Sequence, residues 1–147
     1  SVLPFEILDN TYEMFENIAM ERNVALDVKG SPDLPVIQCD RERIIQVFSN
    51  LIGNALKFSA SGKKIIFGGE VRGSEFVFYV TDQGPGIPIN EQAFVFERYW
   101  QTGTQKKAGA GLGLAICKGI VTAHAGRIWL ESRAGVGTTF YFSIPMS

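Results

Sequence analysis

Three stretches of this sequence combine residue types and spacings that could do chemistry. In the first, Gln46, Asn50, Asn54 and Lys57 recur at spacings of four, four and three, which puts them on one stripe of a helix. Ile44, Val47, Phe48, Leu51, Ile52 and Ala55 surround that stripe, so a polar line runs along an otherwise buried helix. Buried amides need partners. The carboxamides either bond neighbouring backbone, or they offer carbonyl oxygens to Mg²⁺ while Lys57 meets a phosphate. Mg²⁺ suits a few protein oxygens completed by water and substrate phosphate. Periodicity alone allows both readings.

The second stretch is Asp82-Gln83-Gly84-Pro85-Gly86-Ile87-Pro88, which follows directly on an apolar strand. As a turn it would be ordinary. As a site, it sets a carboxylate at a strand end beside glycines that let a ligand approach, and the carboxylate could accept a hydrogen bond from an amine on a flat ring. The third stretch, Gly109-Ala110-Gly111-Leu112-Gly113-Leu114-Ala115-Ile116, opens a helix. Glycines and free N–H groups at a helix start form an anion-binding nest. No strand leads into it and no GK[ST] follows, so it is neither a dinucleotide fingerprint nor a Walker loop. Lys106 and Lys107 precede it, either as solvated loop charges or as positive charge for phosphates. His124 is the only histidine and stands before Ala125-Gly126, where capping a helix C-terminus is the expected role.

These residues depend on the elements that carry them. Leu8, Tyr12, Phe15 and Ala19 predict an amphipathic helix over about 5–22, entered through Pro4. Short strands are expected at 24–28 and 36–39, separated by Gly30-Ser31-Pro32 and Pro35. Asp40 is a suitable N-cap for a second helix reaching Phe58. Lys63 to Val71 and Glu75 to Thr81 read as a hairpin joined by Arg72-Gly73-Ser74. A third helix is expected from Gly111 to about Ala123, and two strands at about 127–131 and 138–144 flank Ala134-Gly135-Val136-Gly137. Helices alternating with hairpins predict a two-layer α/β sandwich, with helices on one face of a mixed sheet.

Composition narrows the function classes. The 147 residues suit one domain, and 46% hydrophobic against 20% charged residues rules out wholesale disorder. A net charge of −1 gives no basic excess for nucleic acid or a membrane surface. Cys39 and Cys117 fit no CxxC or Cys/His pattern, so free thiols are expected and a zinc site is not. The longest apolar runs, such as Phe76 to Val80, hold about five residues, far below the roughly 20 of a membrane helix. No signal-peptide pattern opens the chain. The expectation is a soluble cytoplasmic domain.

Taken in order, the segments resemble the ATP-binding catalytic domain of sensor histidine kinases, in the Bergerat-fold superfamily. Asn50-Leu51-Ile52-Gly53-Asn54-Ala55-Leu56-Lys57-Phe58 is similar to the family's asparagine box, and Asp82-x-Gly84-x-Gly86 to its first glycine box. Phe96-Glu97-Arg98-Tyr99 resembles the phenylalanine box. Gly109-x-Gly111-Leu112-Gly113-Leu114 resembles the second glycine box, and Gly135-x-Gly137-Thr138-Thr139-Phe140 the last. Each box is weak alone, but five in register over essentially the whole chain are specific.

The resemblance implies a mixed five-stranded sheet layered on three helices, and it implies roles. Asn54 would ligate Mg²⁺, Asn50 would support the phosphates of ATP and Lys57 would contact them. Asp82 would bind the adenine amino group, with Ile87 and Leu114 as walls, Gly84 and Gly86 shaping the loop and Thr138 helping at the base. Residues from about Trp100 to Ala110 would form a lid anchored by Phe96, and Gly109, Gly111, Leu112 and Gly113 would bring backbone to the phosphates. Gln101 stands where many relatives carry an arginine, so contact with the γ-phosphate would pass to Arg98, Lys106 or Lys107. The family's phosphoacceptor histidine sits on a separate hairpin, followed by an acidic residue and then proline, and that pattern is missing here. The implied protein is therefore a catalytic domain, monomeric by itself, from a homodimeric parent that supplies the acceptor hairpin and feeds a response regulator. Whether that parent is anchored in a membrane is left open. A gyrase-type ATPase, an anti-sigma-type serine kinase and a binding module without catalysis are the alternatives. Gyrase-type relatives carry a glutamate where Asn50 stands, and an amide cannot take a proton from water.

Overall fold

Helix periodicity near the N-terminus and Pro4 in the first turn give α1 (Pro4–Glu21), whose Ile7, Leu8 and Ala19 are buried. Thr11 is buried among them, and its hydroxyl donates to the Ile7 carbonyl at 2.8 Å, so the helix carries no unmet polar group there. A computed structural model describes residues 1–97 and 113–146. In it α2 (Arg41–Phe58) starts where Asp40 predicts, with Asp40 Oδ1 accepting the Arg43 N–H at 3.3 Å. The third helix, α3, is described over Gly113–Ala123; its expected start at Gly111 lies outside the described residues.

The sheet contains β1 (Ala25–Lys29), β2 (Lys64–Arg72), β3 (Glu75–Asp82), β4 (Ile128–Arg133) and β5 (Gly137–Pro145), in the order β1-β2-β3-β5-β4. Only β1 and β2 run parallel, and the other neighbours are antiparallel. Phe76, Phe78 and Val80 of β3 alternate inward with Phe140, Phe142 and Ile144 of β5, and all are buried. Phe48 of α2 meets the rings of Phe67, Phe78 and Phe142 edge-on, at centroid distances of 5.7, 5.3 and 5.1 Å. Edge-to-face packing of this kind adds to the burial term, and it fixes α2 across the middle of the sheet. The two-layer sandwich expected from the sequence is therefore present, with five strands and, among the described residues, three α-helices.

One expected strand is absent. Residues 36–39 form only an isolated bridge, in which Val2 and Ile37 exchange N–H···O bonds of 2.8 and 2.9 Å. The segment is confined between Pro35 and the N-cap Asp40, and Pro4 on the facing stretch has no N–H to extend a ladder. Elsewhere strand ends move by a residue or two, which is where hydrogen-bond ladders fray.

His124 ties two helices together. Its Nδ1 lies 2.9 Å from the Ile120 carbonyl, which can only accept, so Nδ1 carries the proton. Nε2 then holds a lone pair and accepts the Asp40 N–H at 3.0 Å. The C-terminal role expected from the sequence is met, and the ring also holds the start of α2. His124→Ala is expected to cost about 1 kcal/mol, the net worth of a typical hydrogen bond, and so to lower Tm by about 2–4 °C for a domain of this size. Differential scanning calorimetry measures it, and an unchanged Tm would mean that water replaces both bonds.

Candidate functional site

The register of the sheet sets one end of β3 beside the start of β5, pairing Asp82 with Thr138, and Thr138 in turn with Ser132 of β4. The C-terminal half of α2 and the first turn of α3 lie over this end. The result is a pocket lined by Asn54, Ala55 and Phe58 of α2, Asp82 of β3, Pro85, Gly86 and Ile87 of the following loop, Leu114 of α3, and Thr138 and Phe140 of β5. Its space is about 490 Å³, including the open mouth. Its walls are mostly apolar, and among the described residues only Asn54, Asp82 and Thr138 offer polar side chains. Such a slot suits a flat apolar group with a polar edge.

Asp82 Oδ1 accepts the Gly84 N–H at 2.9 Å. Burial pushes the carboxyl above its ordinary value, and the backbone N–H groups of Gly84 and Thr138 pull it back. The shape of the loop depends on two glycines. Gly86 has φ +79°, and a Cβ there would collide with the Arg133 carbonyl. Gly137 has φ +149°, and a Cβ there would strike the carbonyl of Asp82. Both conformations are open to glycine and strained for other residues.

Hydrogen bonds join the loop to the β4–β5 turn. Gly135 N–H donates to the Pro85 carbonyl at 2.8 Å. Ile87 N–H donates to Ser132 Oγ at 2.7 Å, and Gln92 Nε2 donates to the Ile87 carbonyl at 2.9 Å. Behind the pocket, the Phe96 ring stands edge-on to Phe140 with centroids 6.0 Å apart, so the phenylalanine-box segment rests on a pocket wall.

The structure thus brings Asn54, Asp82, Gly86, Ile87, Leu114 and Thr138 to one pocket. Gly84 sits against Asp82 rather than in the wall. Asn50, one turn before Asn54, donates from Nδ2 to the Gly113 carbonyl at 3.4 Å and also bonds the Cys117 thiol, and its Oδ1 can act only as an acceptor. Lys57 is exposed near the end of α2, with Nζ 5.8 Å from the Phe58 ring centroid, and it is not among the residues that line the pocket. Arg98, Lys106, Lys107, Gly109, Gly111 and Leu112 lie outside the described residues, as does the stretch expected to form a lid.

Sequence reasoning missed Ser132 and Gln92, and it placed Phe58 and Phe140 in the boxes without giving them a part in the pocket. Ser132 and Phe140 become legible only from strand register, and Phe58 closes a helix whose apolar pattern read as core. Cys117 faces α2, where its thiol lies 3.7 Å from the Val47 carbonyl. Burial pushes that thiol up to about 12, so at neutral pH it stays protonated and is no nucleophile.

Residues 39–147 match the family described as histidine kinase-, DNA gyrase B-, and HSP90-like ATPase. The chain belongs to this family. The histidine kinase-, gyrase- and HSP90-like ATPases are an ATP-binding family, and among curated relatives this member is similar to the alginate biosynthesis sensor protein KinB of Pseudomonas aeruginosa. The two are 38% identical over 141 residues, which cover 96% of this chain and 24% of KinB. The chain thus spans about a quarter of that relative's length. Among solved structures it resembles the nucleotide-free catalytic domain of histidine kinase ThkA, with TM-score 0.85, 29% identity and coverage of 99% of this chain and 93% of that one. Full-length ShkA in complex with AMPPNP gives TM-score 0.87 at 30% identity, covering 97% of this chain and 30% of ShkA. ThkA has also been solved with the response regulator TrrA, where the likeness has TM-score 0.81 at 29% identity and covers 97% of this chain and 40% of that one. The fold of this family member is that of histidine kinase catalytic domains.

Proposed function

We propose that this chain binds Mg²⁺-ATP in the pocket at the end of β3 and delivers the γ-phosphoryl group to a histidine on a separate helical hairpin of its parent protein. The observation that carries this reading is the carboxylate of Asp82, half-buried at the end of an apolar slot in a member of an ATPase family. An ionised carboxylate only accepts, and the exocyclic amino group of adenine only donates. Ile87 and Leu114 flank the ring, and Thr138 lies beside Asp82.

The donor set fits Mg²⁺ held jointly with a nucleotide. Among the described residues, no three His, Cys, Asp or Glu side chains gather to hold a metal by themselves. Asn54 offers one carboxamide oxygen at the pocket, and Asn50 keeps its own oxygen as an acceptor, so phosphate oxygens and water would complete the shell. When bound, Mg²⁺ supplies charge neutralisation on the phosphates as phosphoryl transfer proceeds. The chain's own residues orient the nucleotide, which is the larger part of catalysis in phosphoryl transfer. Lys57 and the basic residues Arg98, Lys106 and Lys107 are assigned to the phosphates by the family pattern alone. Asn50 supports a kinase over a gyrase-type ATPase, because an amide cannot act as general base on water.

The partners follow from the same reading: an acceptor hairpin on a homodimeric parent in the cytoplasm and, downstream, a response regulator. No helix among the described residues is long and apolar enough to cross a membrane. The chain alone is expected to bind ATP without labelling itself from γ-labelled ATP, since both nitrogens of its one histidine are engaged in the helix tie. Added acceptor hairpin should become labelled at a histidine, as an acid-labile and alkali-stable phosphate. Label retained on this chain alone, and lost in His124→Ala, would overturn the assignment.

A further inference from the structure

Ser132 of β4 touches three parts of the pocket with one hydroxyl. Its Oγ accepts the Ile87 N–H at 2.7 Å, lies 3.1 Å from the Gly137 carbonyl and lies 2.8 Å from Thr138 Oγ1. A serine hydroxyl has one proton and two lone pairs. The Gly137 carbonyl can only accept, so the serine proton goes there. The Ile87 N–H takes one lone pair. The contact with Thr138 then requires the threonine to donate into the remaining lone pair, which leaves Thr138 Oγ1 with lone pairs only. Thr138 is almost completely buried, at 5% exposure, and its hydroxyl has little freedom to choose another partner.

We propose that Ser132 is a positioning residue for base recognition: it holds the Thr138 hydroxyl as an acceptor and pins the Ile87 wall, so that the end of the pocket presents acceptors alone. This rests on the proposed binding of ATP at Asp82. With Asp82 ionised and Thr138 held as an acceptor, a ring edge that carries a donor amine is matched. A ring edge that carries a carbonyl oxygen, as in inosine triphosphate, meets lone pairs on both sides. Removing the Ser132 hydroxyl frees the Thr138 proton to turn toward the pocket and satisfy such a carbonyl.

The test compares Kd for ATP and for inosine triphosphate by calorimetry, in the unmutated chain, Ser132→Ala, Ser132→Thr, Thr138→Val and the double variant Ser132→Ala/Thr138→Val. The ATP preference is expected to fall about tenfold in Ser132→Ala, mainly through tighter inosine triphosphate binding, and to return in Ser132→Thr, which keeps the hydroxyl. In the Thr138→Val background, Ser132→Ala should change the preference by less than about twofold, since coupled residues are not additive. Equal loss of affinity for both nucleotides in Ser132→Ala would make the residue merely structural and overturn the proposal. Should Ser132→Ala fail to fold, an unchanged preference in Thr138→Val overturns it instead. Failure of the unmutated chain to bind ATP at all would sink the underlying reading, a result distinct from either.

Discussion

Asp82→Ala is expected to weaken ATP binding by about a hundredfold or more while the domain remains folded. A hydrogen bond to a charged group is worth roughly 1.5–3 kcal/mol, and a buried donor left without a partner costs about 1–3 kcal/mol. At about 1.4 kcal/mol per tenfold change in Kd, those terms together reach two orders of magnitude. Asp82→Asn is the sharper variant, because the amide keeps Oδ1 for Gly84 but turns a donor toward the amino group of adenine. It should lose much of the affinity and most of the preference for ATP over GTP, which presents a carbonyl at the same place.

The raised carboxyl of Asp82 gives this prediction a sign in pH as well. Burial disfavours the ionised form, so at Asp82 the empty domain is most stable below the ordinary carboxylate value and loses that contribution as pH rises through the raised folded value. Nucleotide binding runs the other way, since the protonated carboxyl no longer offers only lone pairs. Affinity for ATP should therefore fall as pH drops through the folded value of Asp82. Asp82→Asn should remove that limb of the profile and leave Tm of the empty domain at pH 7 equal or higher. Equal displacement of a fluorescent ATP analogue by GTP and ATP in the unmutated chain would reduce Asp82 to a turn residue.

Much of this arrangement was legible before the fold. Helix periodicity gave α1 and α2, Asp40 marked the start of α2, and the ends of the β2–β3 hairpin fell within a residue or two of expectation. The polar stripe was legible because a buried helix should not carry amides without a purpose, and Asn54 does line the pocket. Lys57 was carried by the same stripe, yet a stripe only fixes an angle about the helix axis. Lys57 is exposed in the final turn and is not among the residues lining the pocket, so its part in phosphate binding rests on the family pattern. Ser132 had no signal of its own, since one serine in a strand reads as an ordinary polar position. Its meaning arises from register, which sets it opposite Thr138 across the β4–β5 hairpin and against Ile87, 45 residues away in sequence. The failed strand at 36–39 shows the converse, because propensity suggested extension while Pro4 and Pro35 left no ladder to join.

Asn54→Ala is expected to remove most of the Mg²⁺ dependence of ATP binding and leave the fold intact. Asn54 sits on the pocket face of α2 while Ala55 and Leu56, its neighbours in sequence, are buried against the core. Truncating a half-exposed side chain there opens no core cavity, and alanine favours the helix, so Tm should change by no more than about 3 °C. The binding effect should be much larger. Mg²⁺ demands near-ideal octahedral geometry and gives up its water reluctantly, so a fixed protein oxygen at one vertex matters more than its charge suggests. Asn50 does not line the pocket, and its contact with the Gly113 carbonyl holds its amide one turn away, so its oxygen does not stand at the same vertex. In the unmutated chain, Mg²⁺ should tighten ATP binding about tenfold or more over binding in excess chelator, and in Asn54→Ala by less than about threefold. Asn54→Asp separates geometry from charge: it restores an oxygen at the same vertex, so the Mg²⁺ dependence should return or grow, while metal-free ATP should bind worse because a second negative charge now faces the phosphates. Calorimetric titrations in Mg²⁺ and in chelator, with all three chains, decide it. A folded Asn54→Ala variant with an undiminished response to Mg²⁺ would move the metal away from α2 altogether.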